Sequence, residues 1–210
     1  EGKSGNPSPF TAYGTFLGMK AALNHQRGIQ DFSGIKVAVQ GLGAVAYGLC
    51  KHLSEAGAEL FVTDINQAAV ERVVNDFGAT AVGIDEIYDL DVDIYAPCAL
   101  GATINDTTIP RLKATIVAGC ANNQLAESRH GEILREKGIL YAPDYVINAG
   151  GIINVYYETA PEGYSKEASN KHVERIYDTL SEIFTRSEKE QKSTHLIADE
   201  LAQEIIENGL

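Results

Sequence analysis

Between positions 36 and 141 the chain alternates short apolar runs with longer stretches whose apolar residues recur every three or four positions. The short runs predict strands at Lys36–Gln40, Leu60–Thr63, Thr80–Val82, Asp93–Ala96, Thr115–Ala118 and Ile139–Tyr141. Several are apolar throughout rather than alternating, the pattern of parallel strands covered on both faces. The longer stretches predict helices at Val45–Ala56, Gln67–Phe77, Ile109–Lys113 and Glu127–Lys137. Strand, helix and strand at this spacing form repeated βαβ units, so the fold class is α/β, with a doubly wound, mostly parallel sheet.

Beyond Gly151 the pattern is helical only. Val173, Ile176, Tyr177, Leu180, Ile183 and Phe184 recur at helical spacing, as do Leu196, Ile197, Leu201 and Ile205, with Gly209 as a stop. Ahead of the first strand, Thr11–Gln26 reads as a helix led in by the loop 5–9. The division expected is therefore a sheet domain with its leading helix over 1–160 and a helical C-terminal extension over 161–210. Those last helices either cover the sheet domain or reach back to a further domain. An apolar helix face left open would favour self-association, so a homo-oligomer is expected.

Composition narrows the partners. Apolar residues make up 44%, enough for a sizeable core, and the net charge of −12 argues against nucleic acid or an anionic membrane surface. No apolar run is long enough to span a bilayer, and the first residues carry no signal-peptide pattern. Cys50, Cys98 and Cys120 are too widely spaced for a zinc site, so no metal is expected. Free thiols suit a reducing, cytoplasmic setting.

The candidate chemistry begins where the first strand ends. The run from Val37 to Gln40 leads into Gly41, Leu42, Gly43, Ala44, Val45 and Ala46, a GxGxxA sequence between a strand and a helix. In a Rossmann-type dinucleotide fold the first glycine makes the tight turn and the second leaves bare backbone for the pyrophosphate. The third small residue lets helix and strand pack closely. The helix then turns its N–H groups and positive dipole end toward the phosphates. Asp64 closes the second strand roughly 20 residues on, where an acid binds the adenosine ribose hydroxyls. It would repel a 2′-phosphate, which favours NAD over NADP. Three further loops fall at strand ends: Pro97–Gly101, Gly119–Asn123 and Asn148–Gly151. Asn122, Asn123 and Asn148 offer uncharged donors and acceptors for a carboxamide, a ribose or a carboxylate, or serve only as loop and helix caps.

These segments together resemble the C-terminal, coenzyme-binding domain of the Glu/Leu/Phe/Val dehydrogenase family, and its leucine-specific branch in particular. The likeness runs through Ser4–Pro9, Thr11–Gly14, Val39–Gly43, Val62–Ile65, Ala96–Ala99, Ala121–Leu125, Ala142–Tyr145, Asn148–Gly151 and Ile176–Thr179. It implies reversible NAD-dependent oxidative deamination of an L-amino acid to a 2-oxo acid and ammonia. It implies further that Gly41 to Ala46 carry the pyrophosphate, that Asp64 with Ile65 carries the adenosine ribose, and that Thr11, Cys98, Ala99, Ala121 and Asn123 lie along the nicotinamide half. Asn123 and Asn148 would face nicotinamide or substrate. The family's catalytic lysine and aspartate belong to an N-terminal domain. No glycine-rich loop bearing a lysine is found here, and Lys3 and Lys36 sit in the wrong settings. No catalytic residue is therefore expected in this chain, which would bind NAD without turning over amino acid.

Ile152 and Val155 share one helix face and, by the same resemblance, line the substrate side-chain pocket, although on pattern alone they could be core. The glutamate-specific branch has a hydroxyl residue in place of Val155. A valine leaves a substrate carboxylate unpaired, so an apolar substrate is expected: leucine and other branched-chain amino acids first, phenylalanine or tryptophan second. Tyr156 and Tyr157 depart from the leucine-specific pattern, which keeps the aromatic substrates open. A non-catalytic dinucleotide-binding regulatory module and an S-adenosylmethionine enzyme are the competing readings.

Overall fold

Six parallel strands stand in the order β3-β2-β1-β4-β5-β6 in the computed structural model, which describes residues 5–159 and 164–208. They are β1 (Lys36–Gln40), β2 (Glu59–Thr63), β3 (Thr80–Ala81), β4 (Ile94–Pro97), β5 (Ile116–Val117) and β6 (Leu140–Tyr141). The chain leaves β1 outward to one edge, then returns to β4 on its other side and continues to the opposite edge. The crevice between β1 and β4 is thus the point where strand order reverses, and their carboxyl ends carry Gly41 and Cys98.

Side chains alternate across β1. Val37 and Val39 enter one apolar cluster with Leu49, Leu53 and Leu180, while Ala38 enters a second with Tyr95, Ile87 and Leu134. Both faces of the sheet are therefore buried, which is why its strands read as continuous apolar runs. Helices α1 (Ser8–Arg27), α2 (Ala44–Glu55), α3 (Gln67–Phe77) and α4 (Arg129–Glu136) flank the sheet, and the short α5 (Asp144–Ile147) and α6 (Gly150–Tyr156) follow β6.

Helix α7 (Lys166–Glu190) lays Val173, Ile176, Leu180, Ile183 and Phe184 into the first cluster and packs along α1. Helix α8 (Thr194–Asn208) adds Ile197 and Ala198 and touches α7, α4 and β6. Its stripe is only half buried, because Leu196 and Ile205 face solvent. Gly209, the expected stop, and the segment around the 160/161 boundary lie outside the described residues, as do Lys3 and Ser4.

Three element boundaries differ from the pattern for local reasons. Helix α1 begins at Ser8, ahead of Thr11, because Pro9 fits a first helical turn where its missing N–H is not needed. Helix α4 begins at Arg129 because the Glu127 N–H donates to His130 Nδ1 at 2.9 Å, holding Glu127 in a turn. The stretch Ile109–Lys113 is only a 3-10 turn, Ile109–Arg111, since Leu112 is already extended toward β5. No helix among the described residues is long and apolar enough to cross a membrane.

Candidate dinucleotide site

Gly41 leaves β1 at a φ of +94°, and its N–H donates to Thr63 O at 2.8 Å. A Cβ at this position would stand 2.5 Å from Ala99 Cβ and 2.7 Å from the Ala99 nitrogen. Only glycine makes this turn while keeping the loop after β4 against it. Gly43 is different: nothing lies within 4 Å of where its Cβ would point. The first glycine is required by the fold and the second opens empty space, the pattern expected where backbone meets pyrophosphate.

Helix α2 starts at that space. No side chain caps its N-terminus and no acid occupies its first turn, so its leading N–H groups and dipole face the opening uncompensated. Ala46 is buried in the helix–sheet interface, as the third small position demands. Leu42 is buried, whereas Ala44 is exposed and Val45 half-buried.

Asp64 follows β2 directly and is fixed from two sides. Its Oδ2 accepts the Leu42 N–H at 2.6 Å and its Oδ1 accepts the Asn66 N–H at 2.8 Å. Asn66 in turn caps α3, its Oδ1 accepting from Ala68 N–H at 3.1 Å. The carboxylate thus ties the glycine turn to the start of α3 and keeps spare lone pairs toward solvent. Beside it a cleft of about 560 Å³ is lined by Gly41, Asp64, Ile65, Ile84, Tyr88 and Leu100. Ile65 is 90% exposed, Leu100 77% and Ile84 53%, so a polar anchor stands next to an open apolar slot suited to a purine face. Tyr88 is oriented by Gln40, whose Nε2 donates to its hydroxyl at 2.9 Å.

The other end of the crevice is built by the loops after β4 and β5. Asn123 adopts φ +54° and Ala102 φ +58°, and the Ala102 N–H donates to Asn123 O at 2.7 Å. Two non-glycine residues held left-handed and bonded to each other mark strain in the loops that shape the crevice. Asn148 reaches across from the end of α5: its Nδ2 donates to Asn122 Oδ1 at 2.6 Å and to Cys120 O at 3.3 Å. Ala121 is buried, its N–H donating to Pro97 O at 3.0 Å. Thr11 stands apart on α1 beside Gly151, donating to Pro7 O at 3.4 Å. Ile152 is 73% exposed and Val155 44%, which excludes the core reading for both.

Gly41 to Val45, Asp64 and Ile65 therefore share one end of the crevice, and Ala99, packed against Gly41, stands where the two ends meet. Cys98, Ala121, Asn123 and Asn148 share the other, while Ile152 and Val155 form an exposed rim on α6 and Thr11 stands apart on α1. Tyr88 and Ile84 escaped the pattern reading, since they come from segments without a motif, and Leu100 is not singled out within the loop Pro97–Gly101. Asp106, Glu127 and His130 bring possible metal-ligand atoms within 4.8 Å of one another, but Arg129 already bonds both carboxylates.

The model of the Glutamate/Leucine/Phenylalanine/Valine dehydrogenase family matches residues 62–206. The chain belongs to this family. It is 58% identical over 205 residues to the leucine dehydrogenase of Bacillus cereus, a match covering 98% of this chain and 56% of that protein. The crystal structure of L-tryptophan dehydrogenase from Nostoc punctiforme superposes with a TM-score of 0.93 at 51% identity, over 97% of this chain and 61% of that one. The hetero-hexameric glutamate dehydrogenase of Thermus thermophilus shares the fold at a TM-score of 0.72 and 21% identity, over 97% and 54% of the two chains. The chain thus spans little more than half the length of its dehydrogenase relatives.

Proposed function

We propose that this chain is the NAD-binding portion of an amino-acid dehydrogenase that converts an apolar L-amino acid to its 2-oxo acid and ammonia. One observation carries the cofactor assignment. Asp64 is clamped by the Leu42 and Asn66 N–H groups directly beside the open backbone at Gly43 and the uncapped α2. The bound cofactor supplies the hydride acceptor. Gly43 and the first N–H groups of α2 hold the pyrophosphate, and Asp64 receives the adenosine ribose hydroxyls. Ile65, Ile84 and Leu100 bury the adenine. A 2′-phosphate would meet the Asp64 carboxylate, so NAD is taken in preference to NADP.

At the far end Asn123 and Asn148 orient the nicotinamide and the substrate, with Cys98, Ala99, Ala121 and Thr11 as walls. The acid–base residues lie in a partner N-terminal domain. Sequence 1–160 acts as the dinucleotide domain, and 161–210 as the extension that braces it and continues toward that partner. Ile152 and Val155 present an apolar face without a hydroxyl, which suits leucine and its branched-chain relatives. Tyr156, 63% exposed on the same short helix, favours a second reading in which an aromatic amino acid, tryptophan or phenylalanine, is the substrate. Exposed Ile205 and Ile206 on α8 support self-association into a homo-oligomer.

The test is a deamination assay on the full-length protein, comparing leucine, valine, tryptophan, phenylalanine and glutamate with NAD. Leucine is expected to give the highest kcat/KM and glutamate essentially none. A preference for glutamate would overturn the substrate reading, and full activity from the present chain alone would overturn the division of labour.

A further inference from the structure

Cys98 serves only as a wall in the reading above and the Cys120 thiol has no part in it, yet the sheet places the two cysteines together. Strands β4 and β5 pair in parallel with Ile94 opposite Ile116 and Tyr95 opposite Val117. Past the strand ends the two segments stay bonded with a one-residue shift in register, which keeps Cys98 and Cys120 at neighbouring positions. Two backbone bonds join the segments at this point, Ala118 N–H to Tyr95 O and Ala121 N–H to Pro97 O, each at 3.0 Å. Neighbouring strands lie about 4.8 Å apart. A disulfide needs a Cα separation of roughly 4.4–6.8 Å, so closing one here requires little backbone movement.

Both residues are half-buried, and each thiol sits near enough to the other to shift its titration. The neighbouring Cys98 thiol pulls Cys120 down, while Cys120 and burial push Cys98 up. Cys120 is taken as the nucleophile and Cys98 as the resolving thiol. Cys50 is fully buried in α2, and burial pushes its thiol up to about 12, so it serves as an inert internal control.

We propose that Cys98 and Cys120 form a dithiol that a hydroperoxide oxidises to a disulfide, and that this closure weakens dinucleotide binding at the nicotinamide end. Cys120 Sγ attacks the terminal peroxide oxygen, the O–O bond breaks, and the leaving oxygen departs as alcohol or water with the thiol proton. Cys98 Sγ then displaces hydroxide from the resulting sulfenic acid. The hydroxide takes the Cys98 proton and leaves as water. The peroxide gains the two electrons that the thiols lose. The new bond locks Cys98 next to Ala99 and Cys120 next to Ala121, drawing together the two loops that carry Ala99 and Asn123. The binding consequence rests on the proposed dinucleotide reading, whereas the disulfide does not.

The experiment treats the chain with hydrogen peroxide or tert-butyl hydroperoxide. It then reads non-reducing peptide maps and NADH affinity before oxidation, after it, and after dithiothreitol. Expected are a Cys98–Cys120 linked peptide, unmodified Cys50, and NADH binding weakened about tenfold and restored by the reductant. The variant Cys120→Ser should lose the peroxide response. Independent over-oxidation of the two thiols without a linked peptide, or a linked peptide with unchanged NADH affinity, would overturn the proposal. Absence of NADH binding in the reduced chain would instead contradict the dinucleotide reading, with the peptide map still deciding the disulfide.

Discussion

The Leu42 N–H and the Asp64 Oδ2 meet at 2.6 Å, joining the glycine turn after β1 to the end of β2. Asp64 therefore holds the turn and, in the proposed function, also faces the ribose. Replacing it with alanine strands the Leu42 and Asn66 N–H groups, at a cost of about 1–2 kcal/mol of stability. It should also weaken NADH binding about tenfold and reduce the preference over NADPH. Thermal melts and titrations of Asp64→Ala with both cofactors check this. A variant that still rejects NADPH as strongly as the parent would contradict the assigned role.

The two glycines of the turn should separate cleanly. Gly41→Ala forces a Cβ to 2.5 Å from Ala99 at positive φ, so a destabilisation of about 2 kcal/mol or more is expected. Gly43→Ala has room, so its melting temperature should stay within about 2 °C of the parent. Its added methyl would occupy the pyrophosphate space, and NADH affinity should fall by an order of magnitude or more. Comparable loss of stability in both variants would show that the open space at Gly43 is a packing feature.

How much of this was legible beforehand follows from where the chemistry resides. The strands could be read because both sheet faces are buried, leaving runs such as Lys36–Gln40 no alternation to confuse with helix. The turn could be read because its work is done by backbone, and backbone demands glycine at Gly41. The apolar slot could not, because Ile84 and Tyr88 come from segments with no period, and only the fold brings them and Leu100 beside Asp64. Nor could the Ala102–Asn123 pairing, since neither residue type announces a left-handed backbone strongly enough to be read. The neighbourhood of Cys98 and Cys120 needed the β4–β5 register, which spacing along the chain does not reveal.

Acid should expose the ion cluster behind the site. The Arg129 guanidinium, with His130 beside it, holds the Asp106 carboxyl down to about 2. An unfolded aspartate titrates near about 3.9, so this folded value lies below the unfolded one. The stabilisation is therefore present above about pH 4 and is lost as pH falls toward about 2. Asp106→Asn should melt slightly below the parent at pH 7, because an exposed pair is screened by solvent, with the gap closing as pH falls toward about 2. Melting curves of both proteins across that range provide the check, and a gap independent of pH would contradict the pairing.

The rim formed by Ile152 and Val155 should act on substrate and leave the coenzyme alone. In the full-length protein, Val155→Thr keeps the volume but adds a hydroxyl to the 44%-exposed position. Expected are a several-fold loss of kcat/KM for leucine and an unchanged affinity for NADH. A fall in NADH affinity matching the loss for leucine would place Val155 against the coenzyme instead.

The central claim is the dinucleotide site itself, and calorimetric titration of this chain with NADH, NADPH and S-adenosylmethionine tests it most directly. The account predicts one saturable NADH site, NADPH at least about tenfold weaker, and no heat from S-adenosylmethionine. Silence with NADH, or equal affinity for NADH and NADPH, would contradict it.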